Sequence, residues 1–263
     1  MVEIKNEILK FLDSSWDGSW QSLETYCSLN QGKGWGTSTI EVEIDCCLKL
    51  LGDSPKFIID VGANKGEYTK KILSLFPEAT YFLFEPSSIN LDILCTKFEN
   101  YKNVFCSSYA LSNINSKEKL YTNQFGSGLA SLIKRRLDHF NIYMDLEENV
   151  DVIRFDDFLK FDDIPKELPK IIDYVKIDVE GNEMKVLEGF GNIIKNIKLI
   201  QFEFGGCNID TRTYFQDFWY FFKENNFSLY IISPQGPVKI DYYNESYEHF
   251  STTNYIALNN CNL

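Results

Sequence analysis

The fold of this 263-residue chain is decided by residues 57–66, which read FIIDVGANKG. The opening run, FII, is short and apolar, which is typical of a buried strand. Glycine has no Cβ and tolerates unusual backbone angles, so a ligand can approach a glycine-rich turn closely. Residues 67–73 open a helix, and its first N–H groups carry partial positive charge. The stretch therefore predicts a strand, a glycine turn and a helix around a nucleotide-like cofactor.

The details of the turn narrow the choice of cofactor. A dinucleotide site requires Gly-x-Gly-x-x-Gly, in which the middle glycine lets the pyrophosphate lie close to the backbone. Here that position is Asn64, and the acid Asp60 lies two residues before Gly62. An acid would repel a pyrophosphate but could hold an ammonium group. These residues disfavour a nicotinamide oxidoreductase and favour S-adenosylmethionine, which has a cationic amino-acid end and no phosphate.

A second acid supports this interpretation. Residues 80–84, TYFLF, are predicted to form the next strand, and Glu85 follows them directly. In nucleotide-binding folds of this type, an acid at the end of the second strand accepts hydrogen bonds from the ribose hydroxyls. Alone, Glu85 could equally be a solvated carboxylate at a strand end. Its spacing from the glycine turn favours the ribose role.

Composition limits the class of protein further. The net charge of −12 and the sequence pI near 4.7 argue against general binding to nucleic acid or to an anionic membrane, since both require a basic surface. No signal peptide and no apolar run of membrane-spanning length is recognisable. The seven cysteines include no Cys-x-x-Cys pair, which is typical of reduced thiols. We expect a cytoplasmic protein.

The chain divides into two segments. Residues 1–52 contain two helical patterns and are too short for an independent core, so they are predicted to form a helical cap beside the cofactor cleft. Residues 53–263 alternate strands with helices, which indicates a mostly parallel sheet with ligands at the carboxyl ends of its strands. An insertion of about residues 113–150 interrupts this domain. Further strands are predicted at 103–107, 119–121, 150–155, 174–179, 199–204, 227–232 and 254–258.

Four acids fall at or near the carboxyl ends of predicted strands: Asp60, Glu85, Asp178 and Glu203. Each could simply be a solvated or helix-capping acid. Together they outline one polar cleft.

Several segments resemble the FkbM-type methyltransferases, a branch of the class I S-adenosylmethionine-dependent fold. They are DVGANKG at 60–66, FEP at 84–86, ALS at 110–112, VIRFDDF at 152–158 and KIDVEG at 176–181, with Glu203 in the following strand. The resemblance covers roughly residues 57–258. It implies a Rossmann-like α/β fold with a mostly parallel seven-stranded sheet and helices on both faces. It also implies methyl transfer, usually to a hydroxyl of a small molecule or sugar.

The resemblance also implies the roles of individual residues. In such enzymes the glycine turn would hold the methionine end, Glu85 the ribose, residues 108–110 the adenine, and Asp178 the methionine amine. The implied cofactor contacts are Asp60, Gly62, Ala63, Asn64, Gly66, Tyr68, Glu85, Pro86, Ser87, Tyr109, Ala110, Asp178 and Glu180. Position 182 is often histidine in similar proteins, whereas here it is Asn182. That difference removes one candidate base.

Two loops are candidates for acceptor binding. Residues 126–132 form a glycine-serine stretch followed by cations, which could grip an anionic or polyhydroxylated acceptor. Residues 205–212 follow a core strand, where substrate loops commonly lie. The candidate acceptor residues are Ser127, Ser131, Arg135, Arg136, Asn208 and Arg212. The alternatives are a flexible loop leading into a solvated helix, and a helix N-cap at Asp210.

An alcohol acceptor must lose its proton, so a nearby base assists the transfer. The catalytic candidates are Asp178, His139 and Glu203; a divalent cation held by Asp178 and Glu203 could act instead, although no residue spacing indicates a metal site. The favoured function is O-methylation of a sugar, a glycan or a related small metabolite. Methylation of a non-sugar natural product or an amine, and a catalytically silent binding module, are the alternatives. The many aromatic residues could also support a homo-oligomer.

Overall fold

A central eight-stranded sheet organises the computed structural model, which describes residues 2–37, 40–161 and 170–261. The strand order is β10-β9-β11-β8-β7-β1-β2-β3. The strands β3, β2, β1, β7 and β8 run parallel, whereas β11, β9 and β10 join them through antiparallel pairs. The bounds are β1 Phe57–Val61, β2 Thr80–Phe84, β3 Val104–Ser107, β7 Ile172–Ile177, β8 Ile197–Phe204, β9 Phe227–Ser233, β10 Gly236–Ile240 and β11 Thr253–Asn259.

The predicted Rossmann-like α/β class is confirmed, but the sheet has one more strand than the resemblance implied. The extra strand is β10, which pairs only with β9 and lies at the edge of the sheet. Its sequence, GPVKI, contains a proline and a lysine and has no apolar run that would predict a strand. Proline is tolerated at a sheet edge because its missing N–H leaves no partner unpaired.

Helices cover both faces of the sheet because strand residues alternate between the two faces. On one face, Ile58, Tyr81 and Tyr174 pack against α3, α4 and α5. On the other, strand residues such as Phe202 pack against α6, α7 and α9. The helices are α1 Val2–Ser14, α2 Trp20–Asn30, α3 Ile40–Leu51, α4 Glu67–Leu75, α5 Ser88–Phe98, α6 Phe155–Phe158, α7 Glu183–Gly189, α8 Cys207–Thr211 and α9 Phe215–Glu224.

The predicted helical cap, residues 1–52, consists of two parts that differ in how deeply they are buried. The helices α1 and α2 lie outside the core, and no residue of α2 is buried. The helix α3, in contrast, belongs to the core, because Ile44, Cys46 and Cys47 are buried against the central sheet. The helix α2 was missed because its apolar residues are few and fall on no single face. The outermost predicted bounds, residues 1 and 263, lie outside the described residues.

The insertion forms a small second sheet beside the first. Its strand order is β4-β6-β5, with β4 at Ala110–Leu111, β5 at Ser116–Thr122 and β6 at Leu146–Ile153. The long antiparallel pair of β5 and β6 carries the connecting residues 123–145 away from the core. Part of this connection, residues 126–132, returns to the central sheet and reaches the carboxyl ends of its strands.

Candidate functional site

A cleft of about 400 Å³ lies at the carboxyl ends of β1, β2, β7 and β8. The strand order places β7 and β1 at its centre, β2 on one side and β8 on the other. Residues 126–132 of the insertion and the first turn of α3 complete the walls. The polar lining side chains are Glu43, Asn64, Lys65, Glu67, Tyr68, Glu85, Asn90, Tyr109, Ser127, Ser131, Lys176, Asp178, Glu180, Asn182 and Glu203.

The glycine turn crosses the centre of the cleft. Gly62 has φ +81°, and a Cβ on it would lie only 1.9 Å from the backbone oxygen of Asp178. Gly66, at the start of α4, has φ +76°, and its Cβ would collide with Leu94 and Phe98 of α5. Glycine at both positions therefore lets β1, β7 and α5 approach one another closely. Gly62, Ala63 and Asn64 line the cleft, whereas Gly66 packs behind it; their contact with a cofactor stays a prediction.

Glu85 ties the end of β2 to the glycine turn. One carboxylate oxygen accepts a hydrogen bond from the backbone N–H of Asn64 at 2.7 Å, and the other accepts one from Ser87 at 2.9 Å. Burial raises the pKa of Glu85 to about 7, against the lowering effect of these two bonds. Glu85 and Pro86 line the cleft, whereas Ser87 is buried behind them. Glu85 therefore faces the cleft. That it accepts hydrogen bonds from a ribose stays a prediction.

Asp60 does not line the cleft. Its carboxylate is buried beneath the turn, where the Thr69 hydroxyl donates to it at 2.6 Å and the Lys176 ammonium lies 3.8 Å away. Burial raises its pKa, although Lys176 opposes the change. The predicted direct contact between Asp60 and a cofactor is therefore not supported by this geometry. Asp60 instead supports the turn from below.

Lys176 is a buried cation that the sequence analysis missed. Its ammonium lies 3.0 Å from Asp178 and stands over the ring of Tyr68 at 5.1 Å from the centroid. Burial acts to lower the pKa of Lys176, but Asp178 and Asp60 outweigh it and raise the value. A signal was present, because Lys176 is two residues before Asp178 at the end of β7, so their side chains point to the same side.

A hydrogen-bonded chain runs from the cleft into the core beneath α3. The Gln201 amide donates to the Glu43 carboxylate at 2.6 Å, and the hydroxyls of Tyr68 and Tyr174 donate to the Gln201 carbonyl at 2.7 and 2.5 Å. Burial raises the pKa of Glu43 to about 7. Sequence analysis missed Glu43, although its spacing from Cys47 places it on the apolar face of α3. An acid on an apolar face was the available signal.

The turn after β7 presents three acids within six residues. Asp178 follows the strand directly, and Glu180 has φ +55°, an unusual value for a residue with a side chain. The Glu183 carboxylate accepts from the backbone N–H groups of Val179 and Gly181 at 3.1 and 3.0 Å. Burial raises the pKa of Glu180 and of Glu183 to about 7. Asp178 and Glu180 line the cleft, and Glu183 holds the turn in place.

Glu203 lies near the end of β8, on the side of the cleft away from Glu85. Burial raises its pKa well above the ordinary value, and the negative charges of Asp178 and Glu180 raise it further. The Asn182 side chain donates to the backbone oxygen of Leu111 at 3.2 Å. Glu203 and Asp178 are therefore the two predicted catalytic residues that reach the cleft.

The insertion is fastened to the turn after β7. The Ser131 hydroxyl donates to the backbone oxygen of Glu180 at 2.8 Å, and the Arg135 guanidinium pairs with the Glu180 carboxylate. Arg135 also lies 3.8 Å from Asp210, and its side chain is only 9% exposed. Ser127 and Ser131 line the cleft, and their role in acceptor binding stays a prediction. Arg135 is not available to bind an anion of the acceptor, because the carboxylates of Glu180 and Asp210 already balance its guanidinium charge.

Four further predicted residues lie away from the cleft lining. His139 is exposed and its ring contacts that of Phe140 in a tilted arrangement, and Arg136 and Arg212 are also exposed. Asn208 is buried, and its side-chain oxygen accepts from the backbone N–H of Gly205 at 2.9 Å. This placement gives His139 no geometric support as a base.

The alternative interpretation of residue 210 as a helix N-cap is also wrong. Asp210 lies inside the short helix α8, and its carboxylate accepts a hydrogen bond from the backbone N–H of Arg136 at 3.3 Å. The helix α9 is capped at Tyr214, whose backbone N–H donates to Asp217.

The cleft suits a ligand rich in hydrogen-bond donors. The side-chain oxygens of Asn64 and Asn90 line it, and both are buried without a hydrogen-bond partner. Hydroxyl or amine groups of a bound molecule could satisfy them. Glu85, Tyr109 and Ala110 line the side of the cleft at β2 and β3. Across residues 2–37, 40–161 and 170–261, no cluster of three or more acids, histidines and cysteines could hold a metal ion.

A parallel sheet with a glycine turn after β1 and acids after β2 and β7 defines the class I methyltransferase fold. A sequence profile of the methyltransferase FkbM domain matches residues 60–229, which is well over half of the chain. The chain therefore belongs to the FkbM methyltransferase family. No curated protein matches it in sequence.

Solved structures of methyltransferases resemble the chain at low sequence identity. One is the methyltransferase FkbM from Methylobacillus flagellatus KT, with 14% identity, a TM-score of 0.46, and coverage of 77% of this chain and 44% of that one. Another is the plantazolicin methyltransferase BpumL in complex with SAH, with 10% identity, a TM-score of 0.44, and coverage of 98% and 99%. The chain thus spans less than half of the Methylobacillus protein. No helix in the described ranges is both long and apolar enough to cross a membrane.

Proposed function

We propose that this protein transfers the methyl group of S-adenosylmethionine to a hydroxyl of a sugar, a glycan or a related small metabolite. The observation that carries the proposal is the link between Glu85 and the glycine turn through the backbone N–H of Asn64. It joins the expected ribose acceptor to the expected methionine cradle in one cleft. Gly62, Ala63, Asn64 and Asp178 would hold the methionine end, and Tyr109 and Ala110 the adenine.

When bound, S-adenosylmethionine supplies a methyl group on a positively charged sulfur, which is open to attack by an acceptor oxygen. The S–CH₃ bond breaks as the O–CH₃ bond forms, and the hydroxyl proton must leave. Glu203 is the carboxylate we propose as the acceptor of that proton, because it lines the cleft and burial raises its pKa, which makes it a stronger base. Asp178 lies against the Lys176 ammonium and is suited to hold a cationic group of the ligand.

The proposal is tested by calorimetric titration with S-adenosylhomocysteine and with NAD, comparing the natural protein with Glu85→Gln. We expect S-adenosylhomocysteine to bind and NAD not to bind. The amide has only one oxygen for the hydrogen bonds that the carboxylate accepts, so Glu85→Gln should weaken binding about tenfold.

Glu118→Gln, on the exposed surface of β5, removes the same charge away from the cleft and should bind as the natural protein does. Preferential binding of NAD would contradict the proposed cofactor. Equal affinity of Glu85→Gln and the natural protein would remove the ribose role.

A further inference from the structure

The cleft has two chemically different sides. Glu85, Tyr109 and Ala110 lie toward β2 and β3, which is the side that suits the adenosine. Glu203 lies on β8, which is separated from β2 by the two strands β7 and β1. Glu43 reaches this same side from α3, since its carboxylate is hydrogen-bonded to Gln201 of β8. We call Glu43, Glu203 and Asp178 together the β8-side acids.

The charge of the cleft is strongly unbalanced. Its described lining contains six carboxylates and two lysines; the carboxylates are Glu43, Glu67, Glu85, Asp178, Glu180 and Glu203, and the lysines are Lys65 and Lys176. Lys65 lies on the glycine turn, away from β8. Lys176 lies close to Asp178 and Asp60 and over the Tyr68 ring, so neighbouring groups already balance its charge.

Neighbouring acids also balance the charge of Arg135, which lies beside the cleft. Arg135 pairs with Glu180 and approaches Asp210, and its side chain is 9% exposed. Arg136 and Arg212 are exposed outside the cleft. A phosphate or carboxylate on the acceptor would therefore meet acids on the β8 side and find no uncommitted cation there. Hydroxyl and amine groups, in contrast, can donate to those acids.

Glu43 is unusual among these acids because it comes from a helix that otherwise packs into the core. It lies on the face of α3 that carries Ile44 and Cys47, and only 7% of its surface is exposed. Burying a carboxylate costs free energy unless it is well paired, and the side-chain hydrogen bond to Glu43 comes from the neutral amide of Gln201. A buried carboxylate in the wall of a cleft, with this free-energy cost, is best explained by a role in binding a ligand.

We propose that Glu43 and Glu203 form the acceptor subsite, and that it takes an acceptor with hydroxyl or amine donors and no phosphate or carboxylate near the reacting atom. Glu43 is then a specificity-determining residue supplied by α3. The inference rests on the proposed methyl transfer, because the β8 side is the acceptor side only if the adenosine occupies the other one.

The subsite can be probed before any acceptor is known. S-adenosylhomocysteine has an uncharged sulfur and no group in place of the transferred methyl, whereas its analogue sinefungin carries an ammonium group in that place. At pH 8, above the pKa of about 7 of Glu43, an ammonium directed toward the β8-side acids should be attracted to them. We therefore expect the natural protein to bind sinefungin more tightly than S-adenosylhomocysteine in calorimetric titrations of the full chain.

Three amide variants separate the contributions. Glu43→Gln and Glu203→Gln should each reduce the preference for sinefungin about three- to tenfold and leave the affinity for S-adenosylhomocysteine nearly unchanged. Glu41→Gln is the matched control, because it makes the same change two residues earlier on α3, where the carboxylate pairs with Lys71 outside the cleft. It should keep the full preference.

The outcomes are distinct. If neither ligand binds, the proposed function itself fails. If S-adenosylhomocysteine binds but Glu43→Gln keeps the preference for sinefungin, the role of Glu43 is overturned. The acceptor class is checked by the release of S-adenosylhomocysteine with methyl glycosides of glucose, glucosamine and glucuronic acid. Faster methylation of the glucuronate than of the other two would overturn the class, and the reverse order would support it.

Discussion

At Gly62 the backbone, and not a side chain, sets the geometry of the cleft. Its φ is +81°, and a Cβ would lie 1.9 Å from the Asp178 backbone oxygen. We expect Gly62→Ala to lower the free energy of unfolding by about 2–5 kcal/mol, because it adds overpacking to an unfavourable backbone angle. Urea denaturation measures the loss. Binding of S-adenosylhomocysteine should weaken too, since β1 and β7 would be pushed apart.

Gly52 provides the matched control for that prediction. Its φ is +78°, nearly the same, but a Cβ there would meet nothing within 4 Å. Gly52→Ala should therefore cost only the backbone strain, about 1–2 kcal/mol, and leave ligand binding unchanged. Equal losses in the two variants would show that the close approach of Asp178 is unimportant.

Buried polar groups whose partners are distant in the chain were not predicted from the sequence. Glu43 is hydrogen-bonded to Gln201, 158 residues away. The Lys176 ammonium lies 3.8 Å from the carboxylate of Asp60 on the neighbouring strand β1. From sequence alone a lysine or glutamate is expected at the surface, because burial without a partner is costly. The partner becomes visible only when the fold brings both elements together. Glu85 and Asp178 were found because each directly follows a recognisable strand.

At the scale of elements, the insertion is held against the cleft by few contacts. Arg135 pairs with Glu180 and lies near Asp210, so it joins the insertion to both loops that follow β7 and β8. Arg135→Met should free this segment and leave Glu180 without its cation. We expect amide hydrogen exchange in residues 123–137 to become about tenfold faster, which corresponds to about 1.4 kcal/mol of lost local stability.

The neighbouring Arg136→Met serves as the control, since that side chain is exposed. Its exchange rates should match those of the natural protein. If Arg135→Met also leaves them unchanged, then Ser131 and the small sheet hold the insertion by themselves.

The elements themselves were predictable to different degrees. The strands β1, β2, β7 and β8 are buried on both faces, so each is a nearly continuous apolar run that sequence reveals. The strand β10 and the helix α2 lack that signal, since one is a charged edge strand and the other buries nothing. The path of residues 126–132 back to the central sheet depends on contacts between distant segments, and no local pattern encodes it.

For the whole molecule, the position of α3 predicts where the chain can be shortened. Removing residues 1–30 takes away α1 and α2, which contribute little to the core, and should lower the melting temperature by less than about 4 °C. Removing residues 1–52 also takes away α3 with Ile44, Cys46 and Cys47, and this chain should not fold. Circular dichroism during heating distinguishes the two. A folded 53–263 chain would show that α3 is a dispensable cap.

The buried acids also predict how stability changes with pH. Burial raises the pKa of Glu43, Glu85, Glu180 and Glu183 to about 7, so between roughly pH 5 and 7 the folded chain binds more protons than the unfolded one. Their protonation therefore favours folding below pH 7, and this advantage is lost as the pH rises through 7. We expect the free energy of unfolding without ligand to be at least about 1 kcal/mol higher at pH 6 than at pH 8.

Urea denaturation at the two pH values measures this difference. The Glu43→Gln variant, which has one such carboxyl fewer, should show a smaller change. A chain equally stable at pH 6 and pH 8 would mean that these carboxyls are better paired with cations than their surroundings indicate.

The fastening of the insertion has a kinetic consequence. Ser131 and Arg135 hold it to Glu180 on one wall, while a Cβ on Gly128 would come within 3.0 Å of the Asn64 side chain on the other. The same segment therefore spans the opening of the cleft from wall to wall. We therefore expect a molecule bound in the cleft to lie against this segment, and Arg135→Met, which loosens the segment, should shorten its residence time.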